Sequence, residues 1–114
     1  MKKTLNYNYD NINDTFVGKI DGKVGFSRDF SISDGVFIGI NKMNLPTSIF
    51  IYEASEVFDI TKHLLEISDF KILIDCDEFY LYFTVCIDDL EIYSVRCVNK
   101  FEIPHLNFLI DSNY

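Results

Sequence analysis

The sequence has few of the residues that mark disordered, disulfide-stapled or metal-binding chains. It contains no tryptophan, two prolines and five glycines among its 114 residues, a composition that argues against low-complexity disorder. Its three cysteines are Cys76, Cys86 and Cys97. An odd number without close pairs suits neither a secreted disulfide framework nor a zinc motif, so we predict three free thiols that pack as small apolar side chains.

A long apolar segment is also missing. Lys2 and Lys3 look like the basic start of a signal peptide, but Asn6 and Asp10 follow where an apolar run is required. The longest apolar runs, such as residues 79–87, are too short and too interrupted to cross a bilayer. We therefore predict a cytoplasmic protein without a membrane partner.

Residue patterns that carry common catalytic chemistry are absent from the sequence. The glycines are scattered and form no phosphate-binding loop, and there is no nucleophile elbow. Only His63 and His105 are available to activate a cysteine such as Cys76, and no sequence feature brings them to it. We expect no catalytic residue, no metal and no cofactor, and a protein that is not an enzyme.

The sequence is rich in aromatic residues that can form a hydrophobic core and in acidic residues. Eleven Phe and seven Tyr supply one hydrophobic core, so we predict a single domain, 1–114. The net charge is −8, and residues 53–114 account for it, with thirteen acidic against four basic residues. Such a surface repels nucleic acid and attracts a basic protein, although acidity can also serve solubility alone.

The first half of the chain has the pattern of short strands separated by turns. Two β-rich runs flank Asp21-Gly22, a pair that suits a two-residue type I′ turn because both residues need positive φ. Strands are predicted at 16–20, 23–26, 36–40 and 48–52.

Residues 55–67 have a different period. Apolar residues recur at steps of three and four from Val57 to Ile67, which predicts one amphipathic helix at about residues 55–67. Ser55 is placed to cap its N-terminus.

Strands return after this helix, at 71–74, 78–87 and 91–98, and residues 106–110 are predicted as an edge strand. A three-residue turn at 88–90 places Leu81 opposite Cys97 and keeps the apolar residues of both strands on one face. A two-residue turn would pair Leu81 with Arg96 and mix the faces. The predicted fold class is α+β, an antiparallel, meandering sheet with one helix packed on it.

Acidic residues cluster at both ends of the strand at 78–87, with two tyrosines on its less apolar face. Tyrosine is a frequent hot spot, and carboxylates steer a basic partner. We predict a partner-binding surface made of Asp75, Asp77, Glu78, Tyr80, Tyr82, Asp88, Asp89 and Glu91. Two alternatives stay open: each acidic cluster could hold a divalent cation or be a solvated turn, and the tyrosines could lie under the helix.

Residues 5–66 contain a pattern that resembles a family of small bacterial domains of unknown function. The matching residues are Tyr9-Asp10, Asp14-Thr15-Phe16, Asp34-Gly35-Val36, Ile49-Phe50-Ile51 and Ala54-Ser55. The resemblance supports the fold and implies no activity.

The overall character of the chain also resembles the immunity proteins of polymorphic or contact-dependent toxin systems. This resemblance implies a small inhibitor that neutralises a cognate toxin. A basic nuclease domain is the expected partner, and no direct contact with nucleic acid is expected. Alternatives are an acidic nucleic-acid mimic that inhibits a host or defence nuclease, and a structural subunit of an assembly. A homodimer through the tyrosine face would be compatible with any of these.

Overall fold

The computed structural model describes residues 2–20 and 28–112, which form nine strands and two short helices. The strands are β1 (Lys2–Asp10), β2 (Thr15–Ile20), β3 (Arg28–Ser33), β4 (Val36–Ile40), β5 (Pro46–Tyr52), β6 (Phe70–Cys76), β7 (Tyr80–Ile87), β8 (Leu90–Val98) and β9 (Leu106–Asp111). The helices are α1 (Ala54–Phe58) and α2 (Lys62–Ile67). Within the described ranges, neither helix has the length and apolar character needed to cross a membrane.

All nine strands belong to one sheet, in the order β3-β4-β5-β2-β1-β9-β6-β7-β8. Every neighbouring pair is antiparallel except β1 and β9, which run parallel. The sheet curls until β3 and β8 approach each other without pairing, so it is nearly closed and barrel-like. Its inner face forms one core, in which Phe16, Phe70 and Phe83 are the largest fully buried side chains.

The predicted α+β fold with a single helix at 55–67 is wrong, because the chain is mostly β and the helical segment is broken in two. Asp59 has a left-handed backbone (φ 54°, ψ 45°) that ends α1, and the Thr61 hydroxyl caps α2 by accepting from the Leu64 amide at 3.3 Å. The apolar period runs through this break unchanged. Sequence spacing therefore could not detect it.

The break also changes which residues are buried. Phe58 and Leu65 point into the core, whereas Leu64 and Ile67 from the predicted apolar stripe are exposed. Ser55 does not occupy the cap position of α1, which belongs to Glu53. The predicted cap is therefore wrong, and the Ser55 side chain has a different partner, described below.

The register of the β7–β8 hairpin is confirmed. Leu81 lies opposite Cys97 and Tyr82 opposite Arg96, as predicted. The turn itself has two residues, Asp88 and Asp89, both with positive φ (50° and 64°), as a type I′ turn requires. A bulge in β8 adds one residue to that strand and restores the register that a longer turn would have given.

Strand positions were predicted better than strand order. The segment at 106–110 does form a strand, but β9 lies in the middle of the sheet between β1 and β6, so an edge strand and a meander are both wrong. Strands β1 and β3 were not predicted. The Asp21-Gly22 turn and the strand at 23–26 lie outside the described residues.

The topology defines two ends of the sheet. At one end, which we call the helix end, the odd-numbered strands finish, the even-numbered strands begin, and both helices lie in the β5–β6 connection. At the opposite end, the loop after β8 crosses to β9 and buries Phe101 and Ile103. The Asn99 side chain holds this loop through hydrogen bonds to the carbonyl oxygens of Asp77 and Ile103, each 2.9 Å.

Candidate functional site

The charge of the chain is concentrated at the helix end. Twelve acidic residues and only two basic ones, Lys62 and Lys71, lie in the connections there or in the two strand residues next to them, a formal charge of −10. The acidic residues are Asp10, Asp14, Asp34, Glu53, Glu56, Asp59, Glu66, Asp69, Asp88, Asp89, Glu91 and Asp111. They come from five separate segments, so the difference between the two sequence halves reveals only part of this surface.

The rest of the described chain carries a small net positive charge. Seven basic and five acidic residues lie there, a formal charge of +2. The molecule is therefore strongly polarised along its strands, and a basic macromolecule is attracted to one end of it.

The structure divides the predicted partner-binding surface between the two ends. Asp88, Asp89 and Glu91 lie at the helix end, in or beside the β7–β8 turn. Lys71 binds Asp89, with Nζ 2.6 Å from Oδ1, and this lysine holds the pKa of Asp89 below its ordinary value. Asp88 and Glu91 remain exposed.

Asp75, Tyr80 and Tyr82 lie on the outer face of the sheet, where neither helix covers them. Asp75 is opposite Tyr82 across the β6–β7 pair, and each tyrosine is 37% exposed. The Arg96 guanidinium lies 4.7 Å from the centre of the Tyr80 ring. Because this arginine offsets the charge of Asp75, the tyrosine face is less acidic than the sequence clusters indicate.

Asp77 has a structural role at the opposite end. Its carboxylate accepts hydrogen bonds from the amides of Phe79 (2.8 Å) and Tyr80 (2.7 Å), which closes the β6–β7 turn. Hydrogen bonds from Tyr80 and Phe79 lower the pKa of Asp77. Glu78 is an exposed residue of the same turn. The eight predicted residues are thus not one contiguous site.

A hydrogen-bond network at the helix end joins three elements of the resemblance pattern. The Tyr9 hydroxyl donates to Asp14 Oδ1 and the Ser55 hydroxyl donates to Asp14 Oδ2, both at 2.6 Å. The Ser55 amide donates to Asp14 Oδ1 at 3.0 Å, and the Ala54 amide donates to the Asp14 carbonyl oxygen at 2.9 Å. Asp14 therefore fastens the β1–β2 turn to the start of α1.

Sequence reasoning missed a cleft beside this network. Its volume is about 360 Å³, and it lies where the β3–β4 turn, residues 52–57 and Tyr93 of β8 meet. We call it the Tyr52–Tyr93 cleft. It is lined by Ser33, Asp34, Gly35, Tyr52, Glu53, Glu56, Val57 and Tyr93. These residues come from three distant segments, and no local motif marks them.

Exposed apolar side chains also occur at the helix end. Ile12 is 87% exposed and Ile67 is 63% exposed. The Asn11 side chain donates to Glu66, which holds the β1–β2 turn against α2. The acidic end thus includes apolar surface of the kind that protein interfaces bury.

The Cys76 side chain is fully buried in the core. Burial raises the pKa of the Cys76 thiol to about 12, with a further contribution from Asp75. A thiol in this state is a poor nucleophile. Within residues 2–20 and 28–112, no group of three or more His, Cys, Asp or Glu side chains is placed to hold a metal ion.

Known proteins offer no guide to this surface. Comparisons of the chain with protein-family models, with curated proteins and with solved structures found no match.

Proposed function

We propose that this protein is an immunity protein, a small inhibitor that binds and neutralises a basic bacterial toxin, with a nuclease domain as the favoured target. The observation that carries the proposal is the collection of twelve acidic residues at the helix end. A nuclease must attract phosphates, so its active-site surface is basic, and an acidic inhibitor is drawn to that same surface.

The helix end also has the composition that a protein interface needs. Charge alone accelerates association, while stable complexes additionally bury apolar side chains within a polar rim. Ile12, Leu64 and Ile67 supply exposed apolar area there. We infer that the partner covers this end, with Asp88, Asp89 and Glu91 at its periphery.

The tyrosine face with Asp75, Tyr80 and Tyr82 is the weaker candidate for the same role. Arg96 lies over the Tyr80 ring, and a basic partner would have to approach this positive charge. We therefore assign the first contact with the partner to the helix end.

The test is inhibition of a candidate nuclease toxin chosen from the genes that neighbour this one. The purified chain should abolish nuclease activity at an equimolar ratio, and its co-expression should protect cells from the toxin. The association rate should fall as salt rises from about 10 mM to about 1 M, because the Debye length shrinks from about 30 Å to about 3 Å.

A matched pair of variants distinguishes the effect of negative charge at the helix end from the effect of the net charge of the whole protein. Asp88→Asn/Asp89→Asn removes two negative charges at the helix end, and Asp29→Asn/Glu102→Asn removes two at the opposite end. Asparagine tolerates the positive φ of Asp88, Asp89 and Glu102. We expect the first variant to slow association about threefold to tenfold at low salt and the second to change it less than twofold.

Three results would contradict this assignment. Equal slowing in both variants would mean that only net charge matters. Full toxin activity in the presence of the chain would remove the immunity function. Inhibition of several unrelated DNA-binding enzymes, each relieved by added DNA, would indicate a nucleic-acid mimic instead.

A further inference from the structure

We propose that the basic partner extends from the helix end onto the outer face of the sheet and buries an apolar side chain against Val17, Phe37, Phe50 and Tyr52. We call these four residues the aromatic face. The inference rests on the proposed function and assigns the apolar part of the contact to one surface. The partner segment that fits this surface has an apolar side chain flanked by lysine or arginine.

Strand pairing places the four side chains next to one another on the same side of the sheet. Phe50 lies opposite Val17 on β2 and opposite Phe37 on β4, so these three residues form a continuous row across three strands. Tyr52 is two residues beyond Phe50 on β5 and therefore points to the same side. Its ring packs with both phenylalanine rings, with ring centres 5.6 Å from Phe37 and 6.2 Å from Phe50.

The aromatic face is on the solvent side of the sheet. The residues that alternate with it along β4 and β5 point inward and are fully buried, namely Ile38, Ile49 and Ile51. The aromatic face itself remains partly exposed, and Tyr52 is its most exposed member at 48%. Polar residues are expected at such positions of a sheet with one solvated face. Adjoining aromatic side chains there indicate a surface that another protein buries.

Negative charge borders the aromatic face on the side of the helix end. Tyr52 is the last residue of β5, and the carboxylates of Asp34 and Glu53 line the cleft beside it. On the far side, Lys19 and Asp29 lie in one row across the strands, and their charges offset each other. A basic protein that is attracted to the helix end therefore reaches the edge of an uncharged aromatic surface, whereas an acidic protein is repelled from it.

The tyrosine face provides a direct comparison. Its rings, Tyr80 and Tyr82, are also on the outer side of the sheet, but the Arg96 guanidinium lies over the Tyr80 ring, and the hydroxyl groups of Thr84 and Ser94 adjoin them. The aromatic face contains no charged residue. Protein interfaces bury an apolar centre within a polar rim, and aromatic side chains are frequent hot spots in that centre. The aromatic face and the acidic residues beside it have this arrangement.

The first experiment uses the full chain and small peptide probes. The acetylated and amidated tripeptide Arg-Trp-Arg, which has one apolar ring between two cations, is titrated into the ¹⁵N-labelled protein while amide shifts are followed by NMR. We expect saturable shifts centred on the aromatic face, with a Kd of about 1–10 mM, as suits so small a probe. Arg-Gly-Arg, which lacks the ring, and Glu-Trp-Glu, which has the opposite charge, should each bind at least about fivefold more weakly.

Matched variants distinguish the aromatic face from the tyrosine face. Tyr52→Ser removes an exposed ring from the first and should weaken binding of Arg-Trp-Arg about fivefold, whereas Tyr82→Ser removes one from the second and should weaken it less than twofold. Tyr52→Phe keeps the ring and should bind as the wild type does. Circular dichroism checks that all three variants fold. Absence of saturable binding, shifts centred on the tyrosine face, or equal binding of Arg-Gly-Arg would overturn the assignment.

The second experiment measures the complex with the toxin and separates this inference from the proposed function. If both hold, Tyr52→Ser should speed dissociation of the complex about tenfold with little change in the association rate, and Tyr82→Ser should change neither rate. Inhibition of the toxin with an unchanged dissociation rate for Tyr52→Ser would retain the immunity role and overturn the contact on the aromatic face. Binding of Arg-Trp-Arg to the aromatic face without inhibition of the toxin would retain a site for a basic protein and remove the immunity role.

Discussion

Replacing Asp14 with alanine should destabilise the fold more than an ordinary surface substitution does. The change removes the acceptor for two hydroxyl groups, those of Tyr9 and Ser55, and for the Ser55 amide. It also places alanine at a position where φ is 53°. Loss of the hydrogen bonds loosens the start of α1, and the backbone change strains the β1–β2 turn.

The size of the effect follows from typical energies. A hydrogen bond to a charged group contributes about 1.5–3 kcal/mol, and the three bonds share one acceptor that is only half-buried, so they are not additive. A left-handed backbone costs alanine about 1 kcal/mol more than aspartate. We expect a loss of about 3 kcal/mol in the free energy of unfolding, which lowers Tm by about 10 °C.

Asp14→Asn is the matched control. Asparagine keeps a carbonyl acceptor and tolerates positive φ, so it should cost about 1 kcal/mol. Urea unfolding followed by circular dichroism measures both variants, with unchanged m values showing that the unfolded states are comparable. A loss below about 0.5 kcal/mol for Asp14→Ala would refute the structural role of this network.

The stability contributed by Asp14 should depend on pH in a defined direction. Burial acts to raise the pKa of Asp14, but hydrogen bonds from Ser55 and Tyr9 outweigh it, and the folded-state pKa is lower than usual. The carboxylate therefore stabilises the fold above its unfolded pKa of about 3.9, and this contribution is lost as pH falls through the folded-state pKa. The difference between wild type and Asp14→Asn should be constant at neutral pH and shrink in acid.

Three further predictions concern single features of the fold. Gly35→Ala should lower the free energy of unfolding by about 2 kcal/mol, because φ is 77° at this position and a Cβ would lie 3.0 Å from the Tyr52 carbonyl oxygen. An unchanged midpoint of urea unfolding would contradict this. Asp88→Asn, which leaves the Lys71–Asp89 ion pair intact, should raise stability by about 0.5 kcal/mol, since Asn is preferred at the first position of a type I′ turn, and a lower Tm would count against this turn geometry. An aromatic disulfide reagent should label Cys97 before Cys76, whose labelling should follow global unfolding; rapid labelling of native Cys76 would show that it is not buried.

The hairpin shows what local sequence can predict about this fold. Alternation of apolar and polar residues determined the pairing of Leu81 with Cys97, because one face of each strand must be buried. The same reasoning gave the wrong turn length. A bulge shifts the register by one residue, and it leaves no compositional mark in a strand of alternating residues.

The helical segment shows where periodicity fails. The steps from Val57 to Ile67 fit one helix, yet the left-handed Asp59 divides it. Aspartate tolerates positive φ better than most residues, but it is equally common on a solvated helix face. Only packing against the sheet, which buries Phe58 and Leu65, determines the outcome.

Strand β1 escaped prediction for a related reason. Leu5, Tyr7 and Tyr9 alternate as a strand requires, but three asparagines or aspartates stand between and after them, and these residues are uncommon in strands. Only part of the acidic helix end, the residues Asp88, Asp89 and Glu91 beside the β7–β8 turn, was predicted from the sequence. Each connection at the helix end carries acidic residues, and the topology of the sheet brings these connections together. The sequence does not show which connections share an end.

The central position of β9 has a consequence for how the chain folds. This strand pairs with β6 on one side and with β1 on the other, joining residues near both ends of the described chain. During synthesis, β1 through β8 leave the ribosome with the inner edges of β1 and β6 unpaired, and the sheet cannot be completed until β9 follows. Contacts this distant in sequence make folding slow, and until they form the unpaired strand edges are exposed and prone to aggregation. Removing residues from Leu106 onward should therefore yield an aggregating chain rather than a smaller folded domain.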